Sequence, residues 1–322
     1  MTCHLKDNFG RVHNYLRISL TDKCNLRCSY CMPEDNCFLP QSKLMTVAEI
    51  LKLAEIFVYN FGISKIRFTG GEPLVRRDAG EIIESISKLP VELALTTNGM
   101  LLNRFLPLFR KIGLISINIS MDSLNPERFK EITHLPLFHV VKDNINLAVS
   151  EGFKVKINMV VMKNVNDNEV IDFAKWTLYK PVSIRFIEFM PFIGNSWDWE
   201  KVISCTELKK RIEEHYELKK LIDKQNSTSK SYYIEGAAGT LSFISTVTEP
   251  FCESCNRIRL TADGKLQNCL FARGETDLLS ALRKGININN LIISNIILKQ
   301  AAQGGESPCK NVTEKTMVSI GG

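Results

Sequence analysis

From about residue 14 to residue 200, short β-rich runs alternate with helical stretches, and this alternation restricts the fold more than any other feature of the chain. The predicted strands are Leu16–Leu20, Lys65–Thr69, Leu93–Thr97, Leu114–Ser120, Lys154–Val161 and Val182–Phe189. Helix ends are legible between them. Thr46 and Glu49 have capping-box spacing, as do Asp78 with Glu81 and Ser204 with Glu207. Gly62, Gly113 and Gly152 stand where helices stop. Strand–helix repetition predicts a parallel sheet with right-handed crossovers. Six units are too few for a full eight-stranded barrel. The expected fold class is therefore α/β, a partial, open parallel β/α barrel.

Parallel strands covered on both faces read as continuous apolar runs, but here one alternate face is polar. Lys65, Arg67 and Thr69 share a face, as do Lys154, Lys156 and Asn158, and Asn118 and Ser120. A polar lumen walled by helices and holding a charged ligand accounts for this; a sheet with one solvated face is the plainer alternative. Beyond the repeat, residues 206–218 read as a helix and Asp223–Lys230 as a linker. Ser231–Ile234 and Thr240–Thr246 flank a Gly/Ala turn and read as a hairpin. The expected division is a barrel over residues 1–220 and a smaller C-terminal region over 221–322.

Three thiolates close together on one loop suit a [4Fe–4S] cluster with one iron left open. Cys24, Cys28 and Cys31 follow the first strand in CNLRCSYC, and Tyr30 is an aromatic able to pack against an adenine. Cys252, Cys255 and Cys269 form a second trio, with Arg257 and Arg259 between its members. The other cysteines, Cys3, Cys37, Cys205 and Cys309, are scattered. A zinc loop, or a half-built zinc ribbon completed by Cys309 or a histidine, is the alternative in each case. The chain has ten cysteines, and its polar N-terminus MTCHLKDNFGR lacks an apolar export core, so a cytoplasmic setting with reduced thiols is expected. No apolar run approaches the roughly 18–20 residues a membrane span needs. Arg17, Arg67, Lys156 and Arg185 lie on or beside the strands, and with Arg257 and Arg259 they suit a polyanion such as a nucleoside triphosphate.

CNLRCSYC resembles the radical SAM superfamily motif, and Thr69–Pro73 (TGGEP) at the second strand end resembles its SAM-binding segment. The wider set of KIRFTGGEPLVRRD, LTTNG, INISMDSL, KVKINMVV, IRFIEFMPFIGNSWDW, FCESCNRIRLTADGKLQNCLF and the terminal glycines is similar to the molybdenum cofactor biosynthesis protein A family, the GTP 3′,8-cyclases. The resemblance implies a radical-SAM-type partial barrel with a C-terminal cluster-binding region, and two [4Fe–4S] clusters with S-adenosylmethionine as cofactors. It implies SAM contacts at Tyr30, Gly71, Glu72, Ser120 and Met190. GTP contacts are implied at Arg17, Arg67, Thr96, Lys156, Arg185, Arg257, Ile258 and Arg259. Gly321 and Gly322, with Arg257 and Arg259, are implied to assist catalysis. The implied reaction is hydrogen abstraction from C3′ of GTP by a 5′-deoxyadenosyl radical and closure onto C8, giving 3′,8-cyclo-7,8-dihydro-GTP. The implied partners are a low-potential electron donor and a downstream pterin synthase, with a homodimer left open and neither nucleic acid nor membrane engaged. The sequence departs from the family at HLPLFH after KEIT and across about Gly274–Ser319, with the apolar run Leu291–Leu298. The rival readings are a peptide-modifying radical SAM maturase and a zinc- or cluster-bearing nucleic-acid binder. The formal charge of +6 suits the latter, but clustered basic–aromatic stretches are lacking.

Overall fold

The fold is described by a computed structural model covering residues 4–33, 35, 37–305 and 315–321; Cys3, Cys309 and Gly322 lie outside the described residues. The repeat forms β1 (Tyr15–Ser19), β2 (Lys65–Thr69), β3 (Glu92–Thr97), β4 (Ser116–Ser120), β5 (Lys154–Val161) and β6 (Ser183–Glu188). The intervening helices are α1 (Val47–Glu55), α2 (Ala79–Ile86), α3 (Leu106–Lys111), α4 (Pro126–Thr133), α5 (Phe138–Ser150) and α6 (Val170–Tyr179). After α7 (Cys205–Glu213) come β7 (Leu218–Lys220), β8 (Lys230–Ile234), β9 (Thr240–Ile244), β10 (Arg257–Leu260), β11 (Lys265–Gln267) and β12 (Thr276–Asp277). The chain continues through α8 (Leu278–Arg283) and α9 (Asn289–Ile297).

All the strands join one sheet, ordered β12-β11-β10-β1-β2-β3-β4-β5-β6-β9-β8-β7. Its middle is parallel, and strands from the C-terminal region extend it at both edges. β10 pairs parallel with β1, and β9 pairs parallel with β6. The terminal strands do not pair with each other, so the sheet is an open partial barrel, as the six-unit repeat predicts. The strands from residues 221–322 thus continue the sheet begun before residue 220.

Alternation sorts the side chains as expected. Leu16, Ile18, Ile66, Phe68, Ile117, Ile119, Ile157 and Ile184 are buried against the helices in one apolar core. Each such side chain contributes roughly 1.5–3 kcal/mol of burial. The opposite face, including Arg67, Asn118, Lys156 and Asn158, lines a cavity of about 1070 Å³.

Local signals held in part. Thr46 and Glu49 form a reciprocal capping box, and Ser204 caps α7 by accepting from the Glu207 amide. Gly62, Gly113 and Gly152 all take positive φ where helices stop. Asp78 departs from its expected capping role: its carboxylate takes the Arg76 guanidinium (2.6 Å) and no helix amide. β4 begins at Ser116 rather than Leu114, because the Leu114 amide donates back to Phe109 at the end of α3. The helix expected over 206–218 ends at Glu213, and Leu218–Lys220 instead forms β7 against β8. The stretch read as a linker crosses the cavity mouth, where Asp223 to Ser229 form part of the wall. The divergent HLPLFH begins with His134, which ends α4 at φ 60, a left-handed position where glycine avoids a cost of roughly 1–2 kcal/mol. The apolar run Leu291–Leu298 falls within and just after α9, which buries Ile292 and Ile296.

Candidate active site

Both cysteine trios face the same cavity. Cys24, Cys28 and Cys31 line one end and Cys252, Cys255 and Cys269 another. The first trio sits on the loop after β1, which is strapped to its neighbours by main-chain bonds. Gly71 donates to Thr21 (2.7 Å) and Glu72 to Lys23 (2.8 Å). Arg27 and Ser29 donate to Thr133 and Ile132 at the end of α4 (3.2 and 3.0 Å). The two glycines of TGGEP permit this approach: a Cβ at Gly70 would lie 2.5 Å from the Thr21 oxygen, and one at Gly71 2.5 Å from that of Lys23.

The first-trio thiols fit a shared metal cluster by their chemistry. Burial pushes Cys24 up to about 11 and Cys31 to about 12, and holds Cys28 well above its ordinary value, with repulsion from neighbouring cysteines adding to the shifts of Cys28 and Cys31. A bound iron ion supplies the positive charge that turns such thiols into ligands. Around them, Leu26 donates its amide to the Cys24 sulfur (3.4 Å), and Asn98 reaches both that sulfur (3.8 Å) and Asn25 Oδ1 (2.8 Å). The second trio is likewise supplied with donors, from the Gln303 amide to Cys252 (3.4 Å) and from Lys299 to Cys255 (3.6 Å). The positive neighbours Arg257 and Lys299 outweigh burial and bring Cys255 down to about 7. Among the described residues, no three His, Cys, Asp or Glu side chains form a site for a single metal ion.

Between the trios the lumen is cationic, and strand register is the reason. Arg17 on β1 stands beside Arg259 on β10 and Arg67 on β2, which places three guanidinium-bearing positions in one row. Lys156 and Arg185 line the same cavity from β5 and β6. Like charges directly across strands destabilise a sheet by roughly 0.2–1 kcal/mol each. Burial first, and nearby cations second, push Lys156 (by Arg185 and Arg67) down to about 7, and Arg185 (by Arg67) and Arg259 (by Arg257) down to about 10. The Oδ1 atoms of Asn118 and Asn158 and Arg185 Nε are buried and find no hydrogen-bond partner among the described residues. Such a floor suits a polyanion with polar edges.

The remaining sequence-predicted residues divide. Tyr30, Gly71, Thr96, Ser120 and Met190 line the cavity, as does Arg257. Gly321 is buried with φ +80, its Cβ position 2.8 Å from Thr69 Oγ1, and its carbonyl accepts from Arg259 (3.5 Å). The tail therefore packs against Thr69 and Arg259, two residues of the cavity wall. The side chains of Glu72 and Ile258 engage the fold itself. The Glu72 carboxylate turns into the fold, accepting from Leu74 (3.0 Å), the Thr97 hydroxyl (2.7 Å) and the Asn98 amide (2.6 Å). It thereby fixes the turn and Asn98, and burial raises it to about 7. Ile258 alternates with Arg257 and Arg259 on β10, so its side chain lies in the apolar core.

Sequence reasoning did not single out Asp122, which accepts from Tyr30 (2.8 Å) and the Val160 amide (2.8 Å) and so aims the tyrosine. It stands two residues after Ser120 in INISMDSL, a signal available in the motif. Asn195 and Trp197 donate to the carbonyls of Met190 (2.8 Å) and Phe189 (2.9 Å), which gives GNSWDW its structural purpose. Cys205 packs at the start of α7 and Cys37 is exposed, both outside the trios.

Comparisons with known proteins agree with this geometry. Residues 18–177 match the radical SAM superfamily model, and residues 182–304 match Molybdenum Cofactor Synthesis C. The GTP 3′,8-cyclase of Thermodesulfovibrio yellowstonii is 43% identical over 99% of this chain and 100% of its own length. The mitochondrial GTP 3′,8-cyclase of Arabidopsis thaliana is 42% identical over 99% of this chain and 83% of its own. Human molybdenum cofactor biosynthesis protein 1 is 46% identical over 89% of this chain but 46% of its own length, so the chain spans about half of that relative. The solved structure of Streptococcus suis SuiB bound to S-adenosylmethionine superposes with a TM-score of 0.59 at 14% identity, covering 96% of this chain and 72% of SuiB. That likeness is one of fold.

Proposed function

We propose, from the premise that the chain belongs to the GTP 3′,8-cyclase family of the radical SAM superfamily, that it converts GTP to 3′,8-cyclo-7,8-dihydro-GTP in the first step of molybdenum cofactor synthesis. The observation that carries this reading is a row of cations set between two cysteine trios within one cavity. A peptide-modifying maturase does not need that row, and a nucleic-acid binder does not need it enclosed.

In this proposal Cys24, Cys28 and Cys31 hold a [4Fe–4S] cluster, and Cys252, Cys255 and Cys269 hold another. When bound, the first cluster and S-adenosylmethionine supply a 5′-deoxyadenosyl radical. The protein contributes position and shielding. Gly71, Ser120 and Met190 line the SAM end, with Tyr30 held by Asp122 and Glu72 bracing the turn from behind. Arg17, Arg67, Thr96, Lys156, Arg185, Arg257 and Arg259 hold the triphosphate and ribose, and the Ile258 segment is part of the wall beside them. Fixing the nucleotide leaves C3′ close to the radical source, and the tail at Gly321 closes the lumen against water. A low-potential donor supplies the electron, and a pterin synthase consumes the product. The thiols suit a reducing compartment, which we take to be the cytoplasm; no described helix is long and apolar enough to cross a membrane.

The test is anaerobic reconstitution followed by incubation with SAM, dithionite and GTP. About eight irons per chain and GTP-dependent formation of 5′-deoxyadenosine with the cyclised nucleotide are expected. Zinc at either trio, or 5′-deoxyadenosine formation that GTP does not stimulate, would refute the proposal.

A further inference from the structure

α9 and the turn after it lie against the second trio, with Lys299 reaching Cys255 and the Gln303 amide reaching Cys252. Lys299 is 3% exposed, and its ammonium lies 3.6 Å from Cys255 Sγ and 2.9 Å from the Arg257 carbonyl. Among the described residues it forms no salt bridge with a carboxylate. A buried ammonium needs a compensating negative charge, and the Cys255 sulfur beside it supplies one when it ligates a metal as thiolate.

The placement of Lys299 is fixed from both sides. Asn295 on α9 donates to the Leu266 carbonyl (3.3 Å) and to Thr276 (2.9 Å), and its own carbonyl accepts from Asn268 (2.7 Å), the residue before Cys269. Just beyond Lys299, the carbonyls of Gln300 and Ala301 accept from Arg11 (both 2.7 Å), which also reaches the Cys252 carbonyl (2.9 Å). Asp7 holds that guanidinium from behind (2.5 Å). One clamp thus ties the N-terminal segment, the cysteine loop and the Lys299 turn together.

We propose that Lys299 is a positioning residue of the second cysteine trio: its ammonium donates to the Cys255 sulfur and holds the cluster there at a higher reduction potential than the cysteines alone would set. Hydrogen bonds and charge at ligand sulfurs set the potential of such clusters. A fixed positive charge favours the more negative, reduced form. The bond to the Arg257 carbonyl also holds the start of β10, so the same side chain keeps the cluster ligand and the nucleotide-facing arginines in one frame.

The inference rests on the second trio holding a cluster. The test compares full-length Lys299→Met and Lys299→Arg, each with the first trio intact and with Cys24, Cys28 and Cys31 changed to alanine. EPR-monitored reductive titration and iron counts are the readouts. In Lys299→Met the midpoint of the second cluster shifts to more negative potential, that of the first cluster does not move, and Lys299→Arg restores most of the shift. Loss of second-site iron in Lys299→Met but not in Lys299→Arg also supports the role of charge. An unmoved midpoint in fully loaded Lys299→Met, or equal iron loss in both variants, overturns this inference alone. A parent chain that takes up iron only at the first trio overturns the two-cluster reading together with it.

Discussion

Arg185 offers a sharp test of whether the lumen is built for an anion, because its removal should help the free protein and harm the complex. It lies on β6 beside Asn158 of β5 and Ser242 of β9, facing the cavity. Burial, then repulsion from Arg67, hold it down at about 10. At about 1.4 kcal/mol per tenfold change in proton affinity, the charged guanidinium costs on the order of 3 kcal/mol in a dry setting. Water in the cavity screens this to ~1–2 kcal/mol. Arg185→Met keeps the apolar stem and removes the charge. At roughly 2–4 °C per kcal/mol its ligand-free melting temperature should lie about 2–8 °C above the parent. GTP at a hundredfold excess over its Kd should stabilise the parent by about 2.7 kcal/mol. Losing one charge-assisted bond of roughly 1.5–3 kcal/mol should remove much of that gain and weaken binding about ten- to a hundredfold. Anaerobic scanning calorimetry with and without GTP reads both effects. A variant that melts lower without ligand and keeps the full GTP shift would refute the reasoning.

Three further outcomes follow from the geometry. Lys156 is held near 7 by burial and by Arg185 and Arg67; a bound triphosphate favours its charged form, so binding takes up a proton above that pH. GTP affinity should therefore fall between pH 7 and 9, by up to about tenfold per pH unit, and calorimetric titration of Lys156→Met should give weaker binding with a flatter profile. Gly71→Ala drives a methyl to 2.5 Å from the Lys23 carbonyl, displacing the first cysteine loop; iron analysis should find roughly four irons fewer per chain, with the second site retained. Gly321→Ala combines φ +80 with a 2.8 Å approach to Thr69 Oγ1, a strain of about 1–2 kcal/mol that expels the tail. Its turnover should drop at least about tenfold, and the melting temperature should fall as well, because the buried Val318 and Ile320 lose their packing with the tail.

Signals of short range were legible. The thiols of each trio lie close in sequence, so CNLRCSYC and FCESCNRIRLTADGKLQNCLF point to metal chemistry before any folding is known. The capping box at Thr46 and the polar alternation of β2, β4 and β5 were equally clear, since both depend on backbone periods of a few residues. Where the helical reading of residues 206–218 ran too far, pairing with another strand had intervened. Leu218–Lys220 continues a helical pattern but pairs with β8. Nor does the sequence show that the Glu72 carboxylate is held by Thr97, at the end of β3, and by the next residue, Asn98.

Sequence alone determined that this chain makes a parallel α/β sheet with one polar face and presents two thiol trios. The tertiary structure decided how those parts meet. Register between strands far apart in the chain sets Arg259, Arg17 and Arg67 side by side, and the packing of α9 with the Arg11 clamp brings Lys299 to Cys255 across 44 residues. Periodicity says which way a side chain points along its own strand; only the pairing of whole strands, driven by burying their other face, says which charges become neighbours.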